Sequence, residues 1–286
     1  MPKKQKTLVM PFADILSSMA HQNKKEETKM KYLTAGKENE KTVLLLPGTC
    51  CTSQLNFGKV VQLLAKKYKV ICVDYDGFDG KEGDFTTMTD ITRKIERYIT
   101  ERCGGEVFAA YGSSLGGSFV GLLIQRGNVH IQHGIIGSSD LDQSGKFAAK
   151  IKTALVAPLF GSILKKGSMP KWAVKATKKK LGEEAAEKYM EFMDGFIVSA
   201  GKSSMKSIKN QFYSDLITPL DKHIGAEGTT VHIFYALKMG EKYRGRYLEH
   251  FAGPDIREQN YGHEELLFLE PEKWFEEFEK CVEMQV

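Results

Sequence analysis

The residue with the clearest chemical prospects is Ser114, in the run Gly112–Ser113–Ser114–Leu115–Gly116. A serine hydroxyl is a weak nucleophile at neutral pH and needs both an exposed position and an adjacent base. A sharp strand-to-helix turn supplies the position. It forces the serine into a strained conformation, and the flanking glycines let strand and helix approach closely. Ser113 does not fit, because Tyr111 and Leu115 would then stand at the glycine positions. G-x-S-x-G alone arises by chance in tight turns, so its context decides. Here an apolar strand pattern, Glu106–Tyr111, runs into Gly112, and Ser114–Arg126 reads as a helix stopped by Gly127.

A base must accompany the nucleophile, and the chain has seven histidines. His21 precedes the sheet pattern, and His223 falls in a helical stretch. His130, His133, His232 and His250 lie on scaffold elements. His130 and His133 are three apart on a strand, so they point to opposite faces, a poor metal geometry. His263 differs, because it follows the last strand in the loop Tyr261–Gly262–His263 and leads into the C-terminal helix. A solvated surface histidine is the plain alternative.

The elements that would position these residues can be read from hydropathy periods. Thr42–Leu46, Lys69–Asp74, Glu106–Tyr111, Ile131–Ile136 and Thr229–Ala236 read as strands, and the first does not alternate, as expected for a strand covered on both faces. A last strand is expected near Asp255–Asn260. Helical patterns separate them at Leu55–Lys66, Met88–Arg102, Ser114–Arg126 and about Glu241–Phe251. Thr87 and Asp90 cap the second of these, and Gly104–Gly105 ends it. The alternation predicts an α/β protein with a mostly parallel central sheet and helices on both faces. Between about 141 and 226 the strand pattern vanishes into helical, lysine-rich sequence. The expected organisation is an N-terminal extension, 1–29, and a domain over 30–286 interrupted by that insertion.

The chain of 286 residues has ordinary apolar (42%) and charged (27%) content, enough to build a core. No run approaches the roughly 18–20 consecutive apolar residues that span a bilayer. The basic start (Lys3, Lys4, Lys6) leads to an apolar run broken at Pro11 and Asp14, which argues against a secretory signal. Five cysteines are an odd number and do not suggest a disulfide framework, so a cytoplasmic location is expected. Cys50 and Cys51 are either small residues near a turn or an oxidant-sensitive pair.

The order of strand, Pro47–Gly48–Thr49 loop, strand, elbow, strand, helical insertion, strands and late His263 resembles the α/β-hydrolase family over about residues 30–286. Within it the chain is most similar to small bacterial esterase and lipase-like members. The resemblance implies an oxyanion hole of two backbone N–H groups, which fall here at Leu115 and Thr49. Pro47 replaces the common histidine of that loop. It also implies a base at His263 and an acid to orient it. The usual aspartate after the penultimate strand is missing, and Glu241 is the nearest acid. Asp140, at the tip of the strand after the elbow, is the alternative, and Asp142 a less direct one. Glu241 is slightly preferred over Asp140.

The implied activity is serine-dependent carboxylic ester hydrolysis through an acyl-enzyme, without metal or cofactor. Thioester or amide hydrolysis and acyl transfer would use the same site. A non-catalytic ligand-binding member is the reading from another class.

The insertion would form a cap that sets substrate choice. It holds ten lysines and no acidic residue between Lys146 and Lys180, so the rest of the chain carries a net −5. Among them stand Phe147, Ile151, Leu155, Val156, Leu159, Phe160, Ile163, Leu164 and Trp172. Such a mixture suits an amphiphilic acyl ester or an anionic membrane surface. A helix pair with solvated lysines is the plainer reading. Without arginine and with few aromatics, the block does not suggest nucleic-acid binding.

Overall fold

The computed structural model describes residues 30–80 and 83–283, so the expected 1–29 extension lies outside the described residues. Seven strands form one sheet: β1 (Lys31–Ala35), β2 (Thr42–Leu46), β3 (Lys69–Asp74), β4 (Glu106–Ser113), β5 (His130–Gly137), β6 (Thr230–Ala236) and β7 (Asp255–Gln259). Their order is β1-β3-β2-β4-β5-β6-β7, with β1 antiparallel to β3 and every other pairing parallel. The mostly parallel α/β sheet is as the sequence predicts. β1 was not foreseen: KYLTA is short, lies at the sheet edge and is only partly buried, so it carries little of the apolar signal that marks the central strands.

Successive β2 residues serve opposite faces. Leu44 and Leu46 join one apolar core, whereas Val43 and Leu45 join the other, and all four are fully buried. Helices α1 (Ser53–Leu64), α2 (Met88–Cys103) and α3 (Leu115–Arg126) connect β2 through β5. The Thr87 hydroxyl caps α2 by accepting the Asp90 N–H, and Gly104, in the left-handed region at φ +70°, ends it. The C-terminal part comprises a 3₁₀ turn (Leu237–Met239), α8 (Glu241–His250), α9 (Glu265–Leu269) and α10 (Pro271–Val282).

Between β5 and β6 stand four helices: α4 (Lys146–Lys166), α5 (Lys171–Leu181), α6 (Glu183–Ala200) and α7 (Met205–Ile217). They rest on loops at the carboxyl ends of the strands. The Gln211 side chain on α7 accepts the Cys50 N–H at 2.7 Å, and Phe192 on α6 stacks on Phe268 at 3.8 Å. The sheet order reverses between β2 and β4, and the crevice at the carboxyl ends there is where open α/β sheets place ligands.

Candidate active site

Ser114 sits at that reversal. β4 ends at Ser113, α3 begins at Leu115, and Ser114 between them has φ 51° and ψ −114°. A non-glycine residue seldom adopts this conformation, and the packing around it enforces the strain. The glycines are dictated by close approach. A Cβ on Gly112 would lie 2.1 Å from Gly116, and one on Gly116 would lie 2.0 Å from the Leu46 carbonyl oxygen. The turn leaves Ser114 half-buried and open to a reactant, whereas Ser113 is buried and accepts a hydrogen bond from Asn56.

The loop after β2 closes against this turn. A Cβ on Gly48 would stand 3.5 Å from the Ser114 Cβ, so the Pro47–Gly48–Thr49 backbone borders Ser114 directly. The Gly48 N–H donates to Asn56 at 2.7 Å, Cys50 to Gln211 at 2.7 Å, and Cys51 to the Gly48 carbonyl at 3.2 Å. Thr49 has the remaining N–H of this loop and makes no hydrogen bond among the described residues. The Leu115 N–H, at the first position of α3, is one of the donors a helix leaves unpaired at its start. Pro47 has a part of its own, because its carbonyl accepts the buried Tyr75 hydroxyl at 3.0 Å.

His263 stands in the loop between β7 and α9. Its neighbour Glu264 ties that loop to the elbow. The Glu264 carboxyl accepts the Ser114 N–H at 3.1 Å, and its own N–H donates to the Ser138 hydroxyl at 3.2 Å. The His263 ring reaches the surface, yet enough protein surrounds it that lost hydration lowers its pKa below 6.5. The Asp140 charge and the Ser138 carbonyl act the other way. Asp140 thus faces His263 through its field rather than through a hydrogen bond. Arg246 holds the Asp140 carbonyl at 2.6 Å and pairs with Asp142 at 3.1 Å.

The carboxylates foreseen from sequence separate clearly. Glu241 is 81% exposed at the start of α8, with Arg244 at 3.9 Å, and does not figure among the groups acting on His263. Glu241 stands at a helix N-terminus turned to solvent, and of the two foreseen carboxylates Asp140 is the one whose charge acts on His263. Asp142 is held by Arg246 and by Lys152, each at 3.1 Å. Two buried acids were missed. Glu264 and Asp215 are each pushed up to about 8 by burial; Glu264 is surrounded by Ser113, the Ser114 N–H and Tyr111, and Asp215 by Asp140, Ser118 and Asp142. The signal for Glu264 was its place next to His263. For Asp215, on a distant helix, there was none.

Cys50 and Cys51 are buried free thiols, and burial pushes both far above their ordinary range, which opposes the oxidant-sensitive reading. Among the described residues one group of ligating types converges within 4.8 Å: His232, Asp255 and Cys281. It lies away from the elbow, and Arg257 already supplies a cation to Asp255 at 2.8 Å.

No family profile matches the chain, and no curated protein does. Solved structures do. An α/β-hydrolase family protein of Desulfitobacterium hafniense superposes with TM-score 0.70 at 20% identity, covering 88% of this chain and 100% of that one. A thermophilic esterase of Thermogutta terrifontis gives 0.67 at 15% identity over 89% and 94%. MenH of S. aureus gives 0.64 at 15% identity over 90% and 100%. With the seven-stranded sheet, the elbow at its reversal point and these likenesses, the chain has the α/β-hydrolase fold.

Proposed function

We propose that the protein is a serine hydrolase that cleaves carboxylic esters through an acyl-enzyme. The observation that carries this reading is the strained Ser114 turn, bordered by the Gly48–Thr49 backbone and tied to the His263 loop through Glu264. Ser114 Oγ attacks the acyl carbonyl carbon while His263 takes the hydroxyl proton. The Leu115 and Thr49 N–H groups stabilise the tetrahedral oxyanion. Collapse expels the alcohol, which receives the proton from His263. Water, deprotonated by the same histidine, then releases the acid and restores Ser114. Asp140 favours the imidazolium by its charge, and Ser138 fixes the ring through its carbonyl.

Thioesters, amides and acyl acceptors other than water would use the same intermediate. Names among the structural relatives, such as the Thermogutta esterase, favour esters. Helices α6 and α7, packed over the strand ends, would cap the site and favour a small or amphiphilic acyl ester. No step draws on a metal or cofactor. The test is hydrolysis of p-nitrophenyl esters of graded acyl length. The reading expects turnover that Ser114→Ala abolishes. Turnover unchanged in Ser114→Ala would overturn it, as would a folded protein inert to every ester in the series.

A further inference from the structure

The N-terminal half of helix α4 is built inside out for a helix in water, whereas its C-terminal half buries Leu164 and packs Phe160 against Phe196 and Phe212. In the N-terminal half the buried positions, Ala149, Thr153 and Ala157, are small and recur every fourth residue, and the helix is seated mainly on α7. Its large apolar residues follow the same spacing on the outside: Phe147 is 79% exposed, Ile151 48% and Leu155 70%. Helix α5 adds Trp172, 75% exposed, whereas the other tryptophan, Trp274, is fully buried. A helix facing only water and its own domain would bury the large residues and expose the small ones.

The charge around this face is of one sign. On a helical wheel Lys150 flanks the Phe147–Ile151–Leu155 stripe on one side and Lys152 on the other, while Lys146 stands at the start of the helix. Lys171 and Lys175 lie one turn apart on α5, beside Trp172. Lys152 pairs with Asp142 at 3.1 Å, but Lys146, Lys150, Lys171 and Lys175 have no carboxylate partner among the described residues. Apolar residues able to enter acyl chains, bordered by cations whose stems reach the headgroup level, match an anionic bilayer surface. A protein partner with a plain apolar patch would not call for uncompensated lysines.

We propose that the exposed face of α4, with Trp172 of α5, is a docking surface for anionic lipid bilayers. The helix lies along the interface instead of crossing it. Its segment Lys146–Leu164 is long and apolar enough to span. However, three lysines fall in its first two turns, Pro158 interrupts it, and its small-residue side is already packed on α7. Docking here would bring a membrane-dissolved substrate to the helices that cover Ser114. The docking does not require the catalytic reading, and Ser114→Ala is expected to dock like the parent chain.

The test is sedimentation with phosphatidylcholine vesicles, with and without one quarter phosphatidylglycerol, read together with tryptophan emission. Binding to the anionic vesicles is expected, with a blue shift that Trp172→Phe removes, since Trp274 is already buried. Phe147→Ser combined with Leu155→Ser should weaken partitioning about tenfold or more by removing apolar area. Each Lys146→Gln or Lys150→Gln should weaken it about fivefold at low salt. Both changes are on the surface, so the circular dichroism spectrum should hold. A folded wild type that stays in the supernatant with anionic vesicles would overturn the proposal. So would equal binding to neutral vesicles, or a concentration-dependent dimer lost in Leu155→Ser, which would assign the face to a second copy.

Discussion

The Ser114 N–H is shared between the Gly137 carbonyl at 2.7 Å and the Glu264 carboxyl at 3.1 Å, so the residue next to His263 in the chain helps hold the backbone of the elbow. The bond to Glu264 couples two loops that must stay in register. It also buries a carboxyl group whose pKa is pushed up to about 8 from an ordinary 4.5. Glu264 is therefore mostly protonated at neutral pH. A raised carboxyl favours folding fully below the unfolded value of 4.5, and this stability is lost as pH rises through the folded value near 8. Asp215, raised to about 8, has the same sign.

The histidines with lowered pKa, His133, His232 and His263, act oppositely and mostly below pH 6.5. The window from 6.5 to 8 therefore isolates the acids, each giving a slope of up to about 1.4 kcal/mol per pH unit. The melting temperature should fall across this window, and Glu264→Gln should flatten the fall. A melting temperature independent of pH there would contradict the assignment.

Asp140 and Glu241 can be told apart by rate and by pH profile. Burial lowers the His263 pKa and the Asp140 charge raises it, so the acid limb of kcat/KM should lie below pH 6.5. Asp140→Asn should move that limb further down and cost about 10²-fold or more in kcat. Glu241→Gln, at a solvent-exposed helix start, should stay within about twofold. The reverse pattern would return the acid to Glu241.

Glycines test the packing of the elbow. A Cβ on Gly112 or Gly116 would overlap backbone at 2.1 and 2.0 Å, so Gly112→Ala or Gly116→Ala should cost about 3 kcal/mol or more. Gly58, inside α1, meets nothing within 4 Å, and Gly58→Ala should stabilise by about 0.5–1 kcal/mol. Urea denaturation of the three variants checks both signs. Equal effects at all three positions would show that the crowding at the elbow is not what demands glycine.

How much of this was legible beforehand depends on the range of the interaction. Strand β2 announces itself because Val43, Leu44 and Leu45 are buried on both faces and leave an unbroken apolar run, and β3 to β6 do so because β-branched and aromatic residues cluster in them between helical stretches. The elbow was legible because one turn needs glycine at two fixed positions around one serine. The acid was not. Asp140 and Glu241 are each one carboxylate after a strand, and only the path of the chain lets the charge of the first act on His263 and turns the second to solvent. Glu264 and Asp215 take their properties from burial, which no local pattern reports.

The central claim is that the surroundings of Ser114 activate its hydroxyl. Reaction with a fluorophosphonate probe tests this most directly, because it requires a serine already activated by its neighbours and does not depend on knowing the substrate. The account predicts that the wild type labels, that Ser114→Ala does not, and that His263→Ala labels far more slowly. A folded wild type that stays unlabelled, or one that labels equally well without His263, would contradict it.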